Sequence, residues 1–142
     1  MSDEPTTIAQ ANVSSALARR LIDAGRAHAA TLGKAFTVAV VDASGVLKAL
    51  ERMDGAPLIS IQIAQDKAYT AVGFGIPSGA WHDFIKDDPP LAAGAPSGID
   101  RLVVFGGGIP ITVDGAVVGA VGVSGGHYSE DVAVAEAALA VV

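Results

Sequence analysis

The chain has 142 residues, of which 51% are apolar and 17% are charged, and its formal net charge is -6. This length suits one domain with a substantial core, and so small a charged fraction favours a homo-oligomer over a monomer. Because the net charge is negative and the Lys and Arg residues are scattered along the chain, we do not expect nucleic acid or an anionic membrane as a partner. The absence of cysteine excludes disulfides, thiolate metal sites and cysteine nucleophiles.

Two features of the sequence indicate where in the cell the protein is located. No apolar run approaches the ~20 residues that a membrane span requires. The N-terminal sequence MSDEPTT is acidic and lacks the basic-then-apolar order of a signal peptide. We therefore expect a cytoplasmic protein whose residues 1–5 form a disordered tail.

The first predicted element is a long helix. Thr6 or Thr7 is predicted to cap it, and Gly33 to end it after Leu32. At 100° per residue, one apolar stripe of the helix contains Val13, Leu17, Leu21, Ala24, His28 and Leu32. His28 is thus predicted to lie on the inner face. A lone histidine there is more often a packed core residue than a ligand, so both interpretations stay open.

Two β-rich runs follow, Phe36–Val41 and Val46–Glu51, separated by the turn sequence Asp42-Ala43-Ser44-Gly45. They predict a hairpin. The Asp42 carboxylate is more typical of a side chain that accepts hydrogen bonds from the turn amides than of a site residue.

A second helix is predicted from Pro57 to Gly73, with proline in its first turn. Lys67 and Thr70 lie at the edge of its apolar stripe. Because the chain has few cations, Arg52 and Lys67 are the candidates to bind an anionic group such as a carboxylate or a propionate. A solvated edge position is the alternative for Lys67.

The segment after this helix is less regular. A short helix is predicted from Pro77 through Phe84, ended by the sequence Asp87-Asp88-Pro89-Pro90. We expect Leu91–Gly98 to be a loop and Leu102–Phe105 to be a short strand. His82 is predicted to face solvent.

Asp114-Gly115, between Ile109–Val113 and Ala116–Val123, predicts a second hairpin. The second run carries no charge, so we expect an interior strand covered on both faces. Gly119 and Gly122 fall on opposite faces of it. Two glycines in a strand predict that a helix, another subunit or a flat ligand approaches the backbone closely.

The last predicted helix is capped by Ser129 and has acidic residues in its first turn. The residues predicted to face the sheet are Val132, Ala135, Leu139 and Val142. The preceding Gly125 and Gly126 are candidates to bind an anion through their N–H groups, although capping by the acidic residues is the favoured role. With about five strands in total, the pattern predicts an α/β (α+β) domain with helices packed on an antiparallel sheet.

Several blocks carry a resemblance to a known family: AVVDASG (Ala39–Gly45), ERMDGAP (Glu51–Pro57), DKAYTA (Asp66–Ala71), FGGGIPI (Phe105–Ile111) and VGAVGVSGG (Val118–Gly126), followed by Asp131. In this order they resemble the GlcG/HbpS-like family, also called the haem-degrading domain, which includes the C-terminal domain of the PduO adenosyltransferase. The resemblance covers nearly the whole chain. It implies one domain over residues 1–142, and a homo-oligomer, commonly an octamer.

The resemblance also implies haem as a cofactor, bound near subunit interfaces, with haem breakdown or redox sensing as possible activities. Some members ligate the iron with a first-helix histidine fourteen residues before the aspartate of the VVD block. His28 has this spacing from Asp42. His28 is therefore the expected axial ligand, and Arg52 and Lys67 would pair with the propionates.

An alternative function uses the same residues differently. A small cofactor-free isomerase, tautomerase or hydratase acting on an oxo- or hydroxy-acid would hold the substrate carboxylate with Arg52 and Lys67, and Thr70, Gly125 and Gly126 would line its site. His28 or Asp54 would then move the proton, which makes His28, Asp54 and Lys67 the catalytic candidates. A purely structural protein is the third hypothesis.

Overall fold

The structure, a computed structural model, describes residues 3–142. Its helices are α1 (Ser15–Thr31), α2 (Ser60–Phe74), α3 (Ala80–Ile85), α4 (Pro89–Gly98) and α5 (Tyr128–Leu139), and its strands are β1 (Thr37–Asp42), β2 (Leu47–Arg52), β3 (Gly108–Val113) and β4 (Ala116–Ser124). Of the predicted tail, residues 3–5 are exposed and irregular, and Met1 and Ser2 lie outside the described residues.

The strands form one antiparallel sheet in the order β2-β1-β4-β3. The predicted α+β class is correct, but the sheet has four strands where about five were expected. Leu102–Phe105 is the strand that was wrongly predicted. The backbone of this segment forms hydrogen bonds with side chains and not with a neighbouring strand. Thr70 Oγ1 accepts the N–H of Val103 at 3.0 Å, and Ser78 Oγ donates to the carbonyl of Phe105 at 2.7 Å.

Helices cover both faces of the sheet. On one face, α1 and α5 pack on Val38, Val40, Val121 and Val123. On the other face, Ala68 and Ala71 of α2 pack on Val41 and Ala120. The central strand β4 is almost entirely buried, as its uncharged sequence predicted.

Glycines allow α2 to lie directly on the sheet. Gly108 and Gly122 are paired across β3 and β4. A Cβ atom on Gly122 would collide with the carbonyl oxygen of Ala64, and one on Gly108 with that of Lys67. A Cβ on Gly119 would collide with the carbonyl oxygen of Val41 in the paired strand β1, and it would also meet the side chain of Val13. The predicted close approach of a helix is therefore confirmed at Gly122, whereas at Gly119 the close groups belong to strand β1 and to the segment before α1.

The two predicted hairpin turns are also confirmed. Asp42 Oδ1 accepts the N–H groups of Ser44 at 2.9 Å and Val46 at 3.1 Å, so its carboxylate stabilises the turn as predicted. Asp114 and Gly115 have φ of 51° and 80°, the positive values that a type I′ turn requires at both central residues.

The predicted start of α1 was wrong. The helix begins at Ser15, and its cap is Ser14, whose Oγ accepts the N–H of Leu17 at 3.0 Å. The segment before it is extended because the N–H of Val13 bonds to the carbonyl of Val118 in β4. The buried face is Ala18, Leu21, Ile22, Gly25 and Ala29. Three of these five residues are small, and His28 lies half-buried at the edge of that face.

Two later elements also differ from prediction. Residues predicted as a loop form α4, because Asp88 Oδ1 caps it by accepting the N–H of Leu91 and Pro89 occupies its first turn. The cap of α5 is His127 rather than Ser129, and its inner face is Asp131, Val134, Ala135 and Ala138. Within residues 3–142, no helix combines the length and apolar character needed to cross a bilayer.

Candidate functional site

A cavity of about 450 Å³ lies where β4 ends and α5 begins. Its walls come from the loop before α2, from α2, from the segment before β3 and from the start of α5. The residues that line it are Pro57, Ile59, Ser60, Ile63, Lys67, Phe105, Ser124, Gly125, Gly126, His127, Tyr128 and Asp131. It is therefore a largely apolar space with a few polar groups, which is the usual character of a small-molecule site.

A buried ion pair forms the polar floor of this cavity. Lys67 Nζ lies 2.8 Å from Asp131 Oδ2, and the two side chains are 0% and 3% exposed. Nζ also donates to the carbonyl of Val123 at 2.9 Å. The remaining carboxylate oxygen of Asp131 accepts the N–H of Gly126 at 3.1 Å. The pair links α2 to α5, which lie on opposite faces of the sheet.

The glycines of the FGGG sequence make room for this lysine. A Cβ atom on Gly107 would lie 2.7 Å from Lys67 Nζ and 2.6 Å from the carbonyl oxygen of Val123. Gly107 also has a φ of 131°, which L side chains rarely adopt. Gly107 therefore leaves space for the Lys67 side chain, and Gly108 leaves space for the Lys67 backbone.

Burial shifts both members of the pair toward their uncharged forms. Burial lowers the pKa of the Lys67 ammonium, and the hydrogen bond and charge of Asp131 offset only part of that shift. Burial likewise raises the pKa of the Asp131 carboxyl, against the opposing effect of Lys67. An amine and a carboxylic acid are thus closer in free energy to the charged pair here than they would be in water.

At the start of α5, carboxylates of the helix itself accept hydrogen bonds from the backbone N–H groups. The Glu130 carboxylate accepts the N–H of His127 at 3.1 Å, and Asp131 accepts that of Gly126. These bonds confirm that acidic side chains occupy this helix end. The Gly126 N–H is therefore already committed to Asp131 and is not free for a bound anion.

His127 is held as a helix cap. Its Nδ1 accepts the N–H of Ser129 at 3.2 Å and lies 2.8 Å from Ser129 Oγ. When Nδ1 accepts a hydrogen bond, a neutral imidazole carries its proton on Nε2. Neither ring nitrogen then offers a free lone pair to a metal, so the cap and metal ligation are mutually exclusive.

We expect His127→Ala to lower the free energy of unfolding by about 1 kcal/mol, because it removes the side-chain half of the cap. His127→Asn should keep most of the stability, since asparagine is a good N-cap. Thermal unfolding followed by circular dichroism measures both. An asparagine variant as unstable as the alanine variant would contradict the cap role.

Two of the predicted site residues lie away from the cavity. Arg52 is exposed, and its Nε and Nη2 donate to the carbonyl of Ala56 at 3.0 and 2.8 Å, which fixes the turn after β2. Its neighbour Glu51 pairs with Arg26 of α1, so strand alternation directs Arg52 to the α2 side. Asp54 is exposed in the same turn.

Two further predicted residues also lie outside it. Thr70 is buried, and its hydroxyl donates to the carbonyl of Arg101 and accepts from Val103. His28 is half-buried on α1 and is not among the residues that line the cavity. Of the predicted site, the structure brings together only Lys67, Gly125 and Gly126.

Sequence reasoning missed Asp131 and Phe105 as site residues. Asp131 was assigned only to the helix end, although its spacing from Val134, Ala135 and Ala138 places it on the inner face of α5. That spacing was the available signal. The Phe105 ring centroid lies 5.1 Å from Lys67 Nζ, a contact between distant segments that no local pattern indicates.

Helices on both faces of a four-stranded antiparallel sheet, with a cavity at one end, define a small α+β domain. The model of the family described as haem degrading protein HbpS-like matches residues 13–140. The chain belongs to this family.

Individual relatives agree with that assignment. The chain is 35% identical over 129 residues, covering 91% of each, to an uncharacterized 15.0 kDa protein of the dhaT-dhaS intergenic region of Citrobacter freundii. The structure of Klebsiella pneumoniae ORFY matches with a TM-score of 0.91 at 28% identity, covering 98% of this chain and 96% of that one. A structure described as a PduOC:heme complex matches with a TM-score of 0.86 at 30% identity, covering 92% and 95%.

Proposed function

We propose that this protein binds haem, with the His28 imidazole as an axial ligand of the iron. The observation that carries the proposal is the likeness, over nearly the whole chain, to a solved relative that is complexed with haem. Bound haem supplies an iron centre whose redox and dioxygen chemistry depends on its ligands. Haem breakdown, redox sensing and a cytoplasmic location stay predictions.

The three histidines differ in their availability to iron. The Nδ1 atom of His127 is occupied by its hydrogen bond as the cap of α5, and His82 is exposed on the short helix α3. His28 is half-buried, and among residues 3–142 no hydrogen bond or ion pair involves its ring. An imidazole with an uncommitted nitrogen beside an apolar helix face fits an axial ligand of a macrocycle. This supports His28 over the other two.

The predicted propionate partners fit less well. The Lys67 charge is already balanced by Asp131, so we no longer assign it to a propionate. Among residues 3–142, Nη1 of Arg52 has no hydrogen-bond partner, but Arg52 faces the α2 side of the sheet, whereas His28 lies on α1. Within one subunit, the two residues therefore lie toward opposite faces of the sheet.

We propose accordingly that the protein self-associates, and that haem lies near a subunit interface. Large apolar side chains beside the cavity are exposed, among them Leu58 at 75% and Ile59 at 68%. Exposed apolar residues this close together are typical of a contact surface between subunits. The octamer implied by the family resemblance stays a prediction.

Adding hemin to the purified protein should shift and sharpen its Soret absorption as the iron gains a protein ligand. His28→Ala should lose that spectral change, and His82→Ala, the matched control on an exposed histidine, should retain it. An unchanged spectrum with the wild-type protein would contradict haem binding. A full spectral change with His28→Ala would contradict the ligand assignment alone.

The alternative, a cofactor-free enzyme acting on an oxo- or hydroxy-acid, has weaker support. Of its proposed catalytic residues, Lys67 lines the cavity, whereas His28 and Asp54 do not. Because Asp131 neutralises Lys67, the cavity also offers no net positive charge to a substrate carboxylate.

A further inference from the structure

The Lys67–Asp131 pair is a feature that haem binding leaves unexplained. Replacing a buried ion pair by apolar residues of similar size is often neutral or stabilising, because burial removes both charges from water. The fold nevertheless keeps side chains away from Lys67 at Gly107 and Gly108, where a Cβ would strike this residue. The result is an amine placed at the floor of an apolar cavity.

We propose that this cavity binds a small uncharged aldehyde or ketone and that Lys67 captures its carbonyl carbon as an imine, with Asp131 transferring the protons. The volume of about 450 Å³ admits a small organic molecule. Ile59, Ile63 and Phe105 supply apolar walls for its hydrocarbon part. Because Asp131 balances the lysine charge, the site favours a neutral carbonyl compound over an anionic one.

Lys67 and Asp131 together supply and take up every proton that imine formation requires. Transfer of one proton over the 2.8 Å between Nζ and Oδ2 gives an amine and a carboxylic acid. The amine attacks the carbonyl carbon, and the carbonyl oxygen takes the proton of Asp131. The new ammonium returns a proton to Asp131, which protonates the hydroxyl so that it leaves as water. The products are one water, a protonated imine and the Asp131 carboxylate, so the ion pair is restored.

The directions in which burial shifts the two pKa values agree with imine formation. Burial lowers the pKa of Lys67, so its uncharged, nucleophilic amine forms more readily than that of an exposed lysine. The Phe105 ring lies 5.1 Å from Nζ and is itself 44% exposed. It also lines a neighbouring cavity of about 510 Å³. Phe105 thus lines both cavities beside the amine, and we expect a carbonyl compound to reach Lys67 when this ring moves aside.

The test is reductive alkylation of the haem-free full chain with limiting butanal and cyanoborohydride at neutral pH, followed by peptide mapping. The chain has four lysines: Lys34, Lys48, Lys67 and Lys86. We expect Lys67 to gain the butyl group first, although it is the buried one, and Phe105→Ala to accelerate its modification. Asp131→Asn, checked by circular dichroism for retention of the fold, should slow modification of Lys67 and leave the other three unchanged.

Succinic semialdehyde, in which a carboxylate replaces the terminal methyl group of butanal, should lose the preference for Lys67. Modification of Lys34, Lys48 and Lys86 while Lys67 stays protected is what burial alone predicts, and that result would overturn the proposal. Equal modification of all four lysines would overturn it as well. Because the assay contains no haem, its outcome is independent of hemin binding at His28.

Discussion

Replacing Gly122 by alanine is expected to lower the free energy of unfolding by about 3 kcal/mol or more, which is a large fraction of the stability of a typical domain. The new Cβ would overlap the carbonyl oxygen of Ala64 and lie 2.7 Å from the backbone nitrogen of Ala68. Both contacts are with the backbone of α2, so a change of side-chain rotamer cannot relieve them. The helix would have to move off the sheet, and Lys67 would move with it.

Gly73→Ala is the matched control, because Gly73 lies in the same helix and a Cβ there would meet nothing within 4 Å. Alanine should stabilise the helix at this position by about 0.5–1 kcal/mol. Urea unfolding of the two variants gives the comparison. A Gly122→Ala protein as stable as Gly73→Ala would show that α2 does not rest on the β3–β4 glycine pair.

The second large effect is expected for Lys67→Met, which leaves the Asp131 carboxylate buried without its cation. Removing one member of a buried pair typically costs about 3–5 kcal/mol. The pKa of Asp131 is already raised by burial, and losing Lys67 removes an interaction that lowered it. The folded variant therefore binds more protons than the unfolded chain above the ordinary aspartate pKa, and its stability should fall as the pH rises through the raised pKa.

The double variant Lys67→Met/Asp131→Leu separates the charge effect from packing. Burial disfavours both charges in the folded wild type, so between the ordinary pKa values of aspartate and lysine the pair contributes little net stability. The double variant should recover most of what Lys67→Met loses, with a flatter pH dependence. A double variant as unstable as the single one would indicate that the pair is needed for packing.

Local signals in the sequence predicted much of the fold. Asp114-Gly115 and the Asp42 turn define hairpins through contacts within a few residues, and the glycines of β4 indicate a close neighbour on each face. The errors arose where distant residues decide the structure. Val13 is held extended by Val118, which delays the start of α1, and Thr70 occupies the backbone of the expected strand at Val103.

The site was predictable only in part, for the same reason. Lys67 was identified because cations are rare in this chain, and Gly125 and Gly126 because they precede a helix. Its partner Asp131 is 64 residues away, and only the fold brings the two together. Arg52 was assigned to a ligand from its charge alone, whereas its donors bind a backbone carbonyl four residues along the chain.

We propose that this member of the HbpS-like family binds haem through α1 and keeps the Lys67 cavity for a different ligand. A crystal structure of the protein grown with hemin tests both parts at once. We expect iron bonded to a ring nitrogen of His28, with Lys67 still paired to Asp131. Iron ligated elsewhere, or a macrocycle filling the cavity against Lys67, would contradict it.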